Sequence, residues 1–239
     1  MHIDKHDTAV VVIDPQHEVL DASGLAWPLV RESLQDNQTI EHMERLFKAA
    51  KAPGVEVCIS PHSCYPPDTG WQVNGPLETA EATAGMFARP GSFTLEGRDG
   101  SGADWLARCK PYIQAGNTIG VAPHRVFGPD TNDLVRQLHQ RRLSTLRLGG
   151  MRANRCVALH WRALREHGFD VAVAKDATAA PKHPAWGDGS AAALITYAFL
   201  ADAVWTTEDT VKAMARGQRS WRPDEAETCR GISQSRAKT

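Results

Sequence analysis

Cys156 is the side chain best placed for covalent chemistry in this 239-residue chain, because it follows the run Leu148-Gly149-Gly150-Met151-Arg152-Ala153-Asn154-Arg155 where a β-pattern gives way to a helical one. A thiol at such a junction meets the unpaired N–H groups of a helix start, which favour thiolate over thiol and can hold an oxyanion. A buried structural cysteine is the competing reading, since free Cys is among the most buried residue types. Two acids stand where other β-runs end: residues 8–13 lead into Asp14-Pro15-Gln16, and residues 169–174 lead into Lys175-Asp176-Ala177-Thr178. An acid beside a thiol suits acyl transfer, with the acid taking the thiol proton and returning it to a leaving group. Taken singly, Asp before Pro is also a common way to open a turn.

These residues must be held by a regular scaffold, and the pattern of the chain supplies one. Short β-branched runs at 8–13, 55–60, 118–122, 144–148 and 169–174 alternate with longer amphipathic stretches, as in βα units around a parallel sheet. Residues 38–50 set Ile40, Met43, Leu46 and Phe47 at helical spacing, and residues 130–141 do the same with Leu134, Val135 and Leu138. A helix after Cys156 carries Val157, Trp161 and Leu164 and ends near Gly168. Another is predicted over 189–205, with Leu194, Ala198, Ala201 and Trp205 inward. The expected fold is a three-layer, doubly wound α/β domain with a mostly parallel sheet, and in such sheets ligands bind beyond the carboxyl ends of the strands. Residues 61–116 break the pattern: rich in Pro and Gly, with a short helix expected near 103–109, they read as an inserted flap ordered by Trp71 and Trp105. One domain is expected over residues 1–216, followed by a polar tail over 217–239.

Bulk properties narrow the partners. With 27 basic and 28 acidic residues and a formal net charge of -1, nothing argues for nucleic acid or an anionic membrane. No apolar run approaches the roughly 20 residues of a membrane span, and the first residues lack a secretory core, so a cytoplasmic protein with a small-molecule substrate is expected. Five scattered cysteines, an odd number, read as reduced thiols rather than a disulfide framework.

Three motifs in order, an early strand ending in I-D-x-Q (Ile13 to Gln16), then Gly150-Met151-Arg152-Ala153-Asn154-Arg155-Cys156-Val157, then a strand running into Asp176-Ala177, resemble the isochorismatase-like cysteine hydrolases over residues 8–210. The resemblance implies Cys156 as nucleophile and Asp14 as the acid–base. It also implies backbone N–H groups of Arg152 and Cys156 as oxyanion donors, a cis peptide between Met151 and Arg152, and a homo-oligomer, dimer or tetramer. Asp176 and Asn154 read as structural.

The chain departs from the family at its lysine. After residues 118–122 comes Pro123-His124-Arg125-Val126-Phe127: an ungapped placement sets Ala122 at the lysine position, and sliding it brings His124 or Arg125 there. Arg125 is favoured as an always-positive substitute, and His124 is the rival, able to shuttle protons. His62, Trp71 and Phe127 are expected to line the substrate pocket, while His160 reads as a helix-face residue carried away from it. Nicotinamidases of the superfamily bind a divalent ion through an acid and histidines near the second strand. Here only His62 and, at a distance, Asp68 are available, so neither metal nor other cofactor is expected. The reading is an amidohydrolase that cleaves a C–N bond of a small amide, carbamoyl or ureido compound through a thioester. A vinyl-ether hydrolase of the isochorismatase type, which needs no thiol, is the first alternative. A non-catalytic binding module or scaffold is the second.

Overall fold

The computed structural model describes residues 3–52, 54–72 and 74–217. Six parallel strands form the central sheet: β1 (Thr8–Ile13), β2 (Glu56–Ser60), β3 (Thr118–Gly120), β4 (Thr145–Met151), β5 (Asp170–Ala179) and, at the far edge, β8 (Ala203–Trp205). Their order is β3-β2-β1-β4-β5-β8, and β6 (Lys182–His183) with β7 (Gly187–Asp188) makes a small antiparallel pair outside it. Helices α1 (His17–Leu20), α2 (Trp27–Asp36), α3 (Thr39–Lys51), α4 (Pro76–Ala84) and α5 (Lys110–Ile113) precede β4 in the chain, as does α6 (Leu134–Gln140). The remaining three are α7 (Ala158–Glu166), α8 (Gly189–Leu200) and α9 (Thr207–Gly217).

The sheet is covered on both faces, which is why its strands read as continuous apolar runs. Val10 and Val12 of β1 pack with Met43, Leu46 and Phe47 of α3, whereas Ala9, Val11 and Ile13 pack with Leu134, Leu138, Trp161 and Leu164 of α6 and α7. Each buried Val, Ile, Leu, Met or Phe side chain among these contributes about 1.5 to 3 kcal/mol. The expected α/β architecture is therefore observed. Because the chain builds β2 and β3 on one side of β1 and β4 on the other, it reverses direction between β1 and β4, and a crevice opens beyond their carboxyl ends.

Several elements differ from the sequence-based expectation. Helix α8 stops at Leu200 rather than 205, because Asp202 turns the chain by accepting from the Val171 N–H at 2.7 Å and the next residues add an edge strand to β5. Trp205 thus lies on β8 and Ala198 is exposed, whereas Leu194 and Ala201 pack against the core as expected, beside the buried Ala193 and Tyr197. The helix expected near 103–109 is instead a series of turns leading into α5. Helix α4 forms inside the flap without an apolar stripe; its buried residue is Glu81. The predicted tail lies outside the described residues from 218 onward. No helix among the described residues is long and apolar enough to cross a membrane.

The flap is tied to the sheet by polar anchors. Gln16 donates from Nε2 to the His62 and Ala103 carbonyls, at 2.8 and 2.9 Å, and its Oε1 accepts from the His62 N–H at 2.7 Å. The buried carboxylate of Glu18 accepts from the Phe87 N–H at 3.0 Å.

Candidate active site

Four adjacent strands each deliver one reactive side chain to the same end of the sheet. Asp14 follows β1 in a left-handed conformation, φ 50°, with its N–H donating to the Ser60 carbonyl of β2 at 3.0 Å. His62 follows β2. Beyond β3 the chain keeps running beside the β2 loop, His124 N–H donating to the Pro61 carbonyl at 2.8 Å, and this sets the His124 ring edge-on to that of His62 with centroids 4.7 Å apart. Cys156 follows β4 in a wide helical turn, Ala153–Val157, that leads into α7. One donor atom from each of Asp14, His62, His124 and Cys156 lies within 4.8 Å of the others, and all four residues are buried.

The turn that carries Cys156 needs its glycine. Gly150 has φ 114°, and a Cβ there would meet the Ile13 carbonyl oxygen at 2.0 Å, so only glycine lets β4 pass this close to β1. The Met151–Arg152 peptide is cis. Tyr197 of α8 donates its hydroxyl to the Ala153 carbonyl and holds the turn from behind.

On one side of the sulfur are an acid and imidazoles. His124 Nε2 lies 2.8 Å from Asp14 Oδ1, and His124 Nδ1 lies 2.9 Å from the Val126 carbonyl. A carbonyl only accepts, so Nδ1 carries a hydrogen, and the contact to Asp14 requires a second proton shared between the two side chains. Burial alone would raise the Asp14 carboxyl; the charge and hydrogen bond of His124, with help from His62 and His160, hold it below the ordinary value of 3.8. His160 is not carried away from the site, as its helical position suggested. It is fully buried against the His124 ring, centroids 4.9 Å apart, because Nδ1 donates to the Cys156 carbonyl at 2.8 Å and Nε2 accepts from Ser60 at 2.9 Å. Burial pushes His160 down to about 3 and His62 well below 6.5.

On the other side stand two guanidinium groups invisible as a pair in the sequence reading. Arg152 and Arg155 both contact the carboxylate of Glu81, Arg155 through Nη1 at 2.7 Å. Arg155 lies over the Phe127 ring, 4.4 Å from its centroid, and its charge favours the ionised form of the adjacent Cys156 thiol. Burial and the nearby Asp14 carboxylate push the Cys156 thiol up to about 12, against which Arg155 and Arg152 pull it down.

The other residues singled out in the sequence lie around this cluster. Arg125 does not face Asp14: it makes a two-pronged pair with Asp68, Nε to Oδ2 at 2.7 Å, and lies over Tyr65, so the contact expected of it belongs to His124. Ala122 is exposed and its N–H donates to Asp133. His62, Trp71 and Phe127 line one cleft with Asp68, Glu81 and Arg125, and the four-residue cluster lies beyond His62. Asp176 accepts from the N–H and hydroxyl of Thr207, capping α9, and Asn154 is exposed.

With this geometry in view, the comparisons decide the family: the model of the isochorismatase domain matches residues 8–209. The chain belongs to the isochorismatase family. As a member it is a hydrolase. A cysteine hydrolase from Pseudomonas syringae pv. phaseolicola shares the fold with TM-score 0.74 at 19% identity, over 91% of this chain and 96% of that one. An isochorismatase from Pseudomonas putida aligns with TM-score 0.63 at 18% identity, over 87% and 92% of the two chains. The N-carbamoylsarcosine amidase of Thermoplasma acidophilum aligns with TM-score 0.60 at 18% identity, over 84% and 97%. No curated protein sequence matches the chain.

Proposed function

We propose that this hydrolase is a cysteine-dependent amidohydrolase, cleaving the C–N bond of a small amide, carbamoyl or ureido compound through a thioester. The observation that carries the reading is the burial of the Cys156 sulfur beside a carboxylate that is kept ionised. In the first step Asp14 takes the thiol proton as sulfur attacks the substrate carbonyl carbon, and the tetrahedral oxyanion is held by the Arg152 and Cys156 backbone N–H groups. The C–N bond then breaks, and Asp14 returns its proton to the departing nitrogen. Water attacks the thioester while Asp14 accepts its proton, and the acid product leaves as that proton goes back to sulfur.

In this scheme His124 positions and ionises Asp14, the electrostatic part of the family lysine's role, and Arg155 steadies the thiolate once it forms. The amidase fold neighbour supports C–N cleavage as the reaction class. The vinyl-ether alternative needs an acid but no thiol, so one residue separates the readings. Ammonia or amine release from a panel of small amides, carbamoyl and ureido compounds tests the proposal. Cys156→Ala and Cys156→Ser should each lose at least about a thousandfold of the parent rate with the far-ultraviolet circular dichroism unchanged. Turnover above a tenth of the parent rate in either variant would overturn it.

A further inference from the structure

We propose that Asp14, His62, His124 and Cys156 also form a binding site for a single zinc-class divalent cation, whose occupancy excludes the thioester chemistry. The set combines one sulfur, two imidazoles and one carboxylate, all buried, with donor atoms within 4.8 Å of one another. A tetrahedral zinc ion with bonds of about 2.0 to 2.3 Å places its ligand atoms about 3.3 to 3.6 Å apart, so the four donors need close by only about an ångström.

Three observations point to a ligand rather than to packing. His62 Nδ1 is buried without a hydrogen-bond partner, a costly state that a metal bond at that nitrogen would relieve. His124 donates Nδ1–H to the Val126 carbonyl and so presents Nε2 to the cluster, the orientation that carbonyl-bonded metal-ligating histidines adopt. The donors are also braced from outside: Gln16 grips the His62 backbone on both sides, and His160 holds the Cys156 carbonyl. A cation would take the place of the proton that bridges Asp14 and His124. Thiolate and carboxylate together bring two negative charges to balance a divalent ion, and Glu81 screens the two guanidinium groups on the far side of the sulfur.

The exclusion of catalysis rests on the cysteine-hydrolase reading, because the metal would occupy both the nucleophile and the acid–base; the binding does not. Chelator-treated full-length protein titrated with zinc chloride in a calorimeter should bind one ion per chain. Cobalt chloride should give a thiolate-to-cobalt charge-transfer band in the near ultraviolet. Cys156→Ser should abolish that band, and both Cys156→Ser and His62→Gln should weaken zinc binding by about a hundredfold or more. Absence of zinc binding, a cobalt complex without the band in the parent protein, or undiminished affinity in both variants would each overturn the site. Where an amide substrate is found, zinc should stop turnover and a chelator should restore it. Full turnover with zinc bound overturns the exclusion but not the site, and lack of any amide substrate leaves the titration and the cobalt spectrum to decide the site alone.

Discussion

The two sides of Cys156 use opposite electrostatics. Towards the centre of the sheet stand a carboxylate and three imidazoles, Asp14, His124, His62 and His160, side chains whose chemistry is proton transfer. Towards α4 stand Arg152 and Arg155, guanidinium groups of fixed charge, both paired with Glu81. In the proposed mechanism the first side removes the proton of a thiol pushed up to about 12, while the second stabilises what remains. Separating proton movement from constant charge lets one sulfur stay protected until a substrate arrives. Substitutions on the two sides should therefore fail in different ways.

The largest effect is expected at Asp14. Asp14→Asn removes the only carboxylate in the cluster of four, so turnover should fall by about a thousandfold or more. Alkylation of Cys156 should meanwhile shift to lower pH, because a charge that raises the thiol is gone. Loss of rate without that shift would mean that Asp14 does not face the sulfur electrostatically, and the comparison of the two sides would break.

Next in size is acid lability of the fold. His160 is held at about 3 and His62 well below 6.5, so below pH 6.5 the unfolded chain binds protons that the folded chain refuses. Stability is therefore full above 6.5 and falls as pH drops, by about 1.4 kcal/mol per pH unit for each histidine. Asp14, also lowered, adds to the loss only as pH falls below 3.8. Urea midpoints at pH 7, 6 and 5 measure the slope, and His160→Asn should reduce it by about half. An unchanged slope in that variant would place the acid sensitivity elsewhere.

A matched pair sharpens the contrast. His124→Ala deprives the buried Asp14 carboxylate of its partner, so its pKa should rise and the acid limb of the rate profile should move to higher pH, with activity partly regained under alkaline conditions. Arg155→Met removes constant charge, so the rate should drop about ten- to a hundredfold while the acid limb stays where it was. Identical pH profiles for the two variants would show that the two sides do not divide the work.

The sequence revealed one half of this arrangement better than the other. Asp14 and Cys156 sit at strand ends whose β-branched runs and glycines announce them, and Gly150 is required by a backbone approach that local pattern betrays. His124 reaches Asp14 across 110 positions only because the loops after β2 and β3 continue their pairing, which no periodicity records. The guanidinium side was hidden for a different reason. Glu81, 71 positions from Arg152, lies on a helix whose buried residue is a charge, so α4 has no apolar stripe to mark its inner face. Likewise β8 is a three-residue edge strand following an apolar helix, too short to interrupt the helical pattern.

Arg125 supplies the smallest expected effect and the cleanest control. It carries the same fixed charge as Arg155 and lies in the loop after β3, yet its partners are Asp68 and the Tyr65 ring, and its side chain is 28% exposed. Charge alone, if it acted through general electrostatics, would make Arg125→Ala resemble Arg155→Met. Contact with the sulfur, if that is what matters, leaves the rate constant within about threefold of the parent, because Asp68 already neutralises the Arg125 charge. The loss of stability should be below about 1 kcal/mol, since Asp68 keeps the Tyr65 N–H at 2.8 Å and gains water where the guanidinium stood. Any larger change should appear in KM, because Arg125 and Asp68 line the cleft that leads to His62. A fall in kcat as large as that of Arg155→Met would show that the cation required by Asp14 and Cys156 acts from a distance, and the assignment of that role to Arg155 and His124 would be withdrawn.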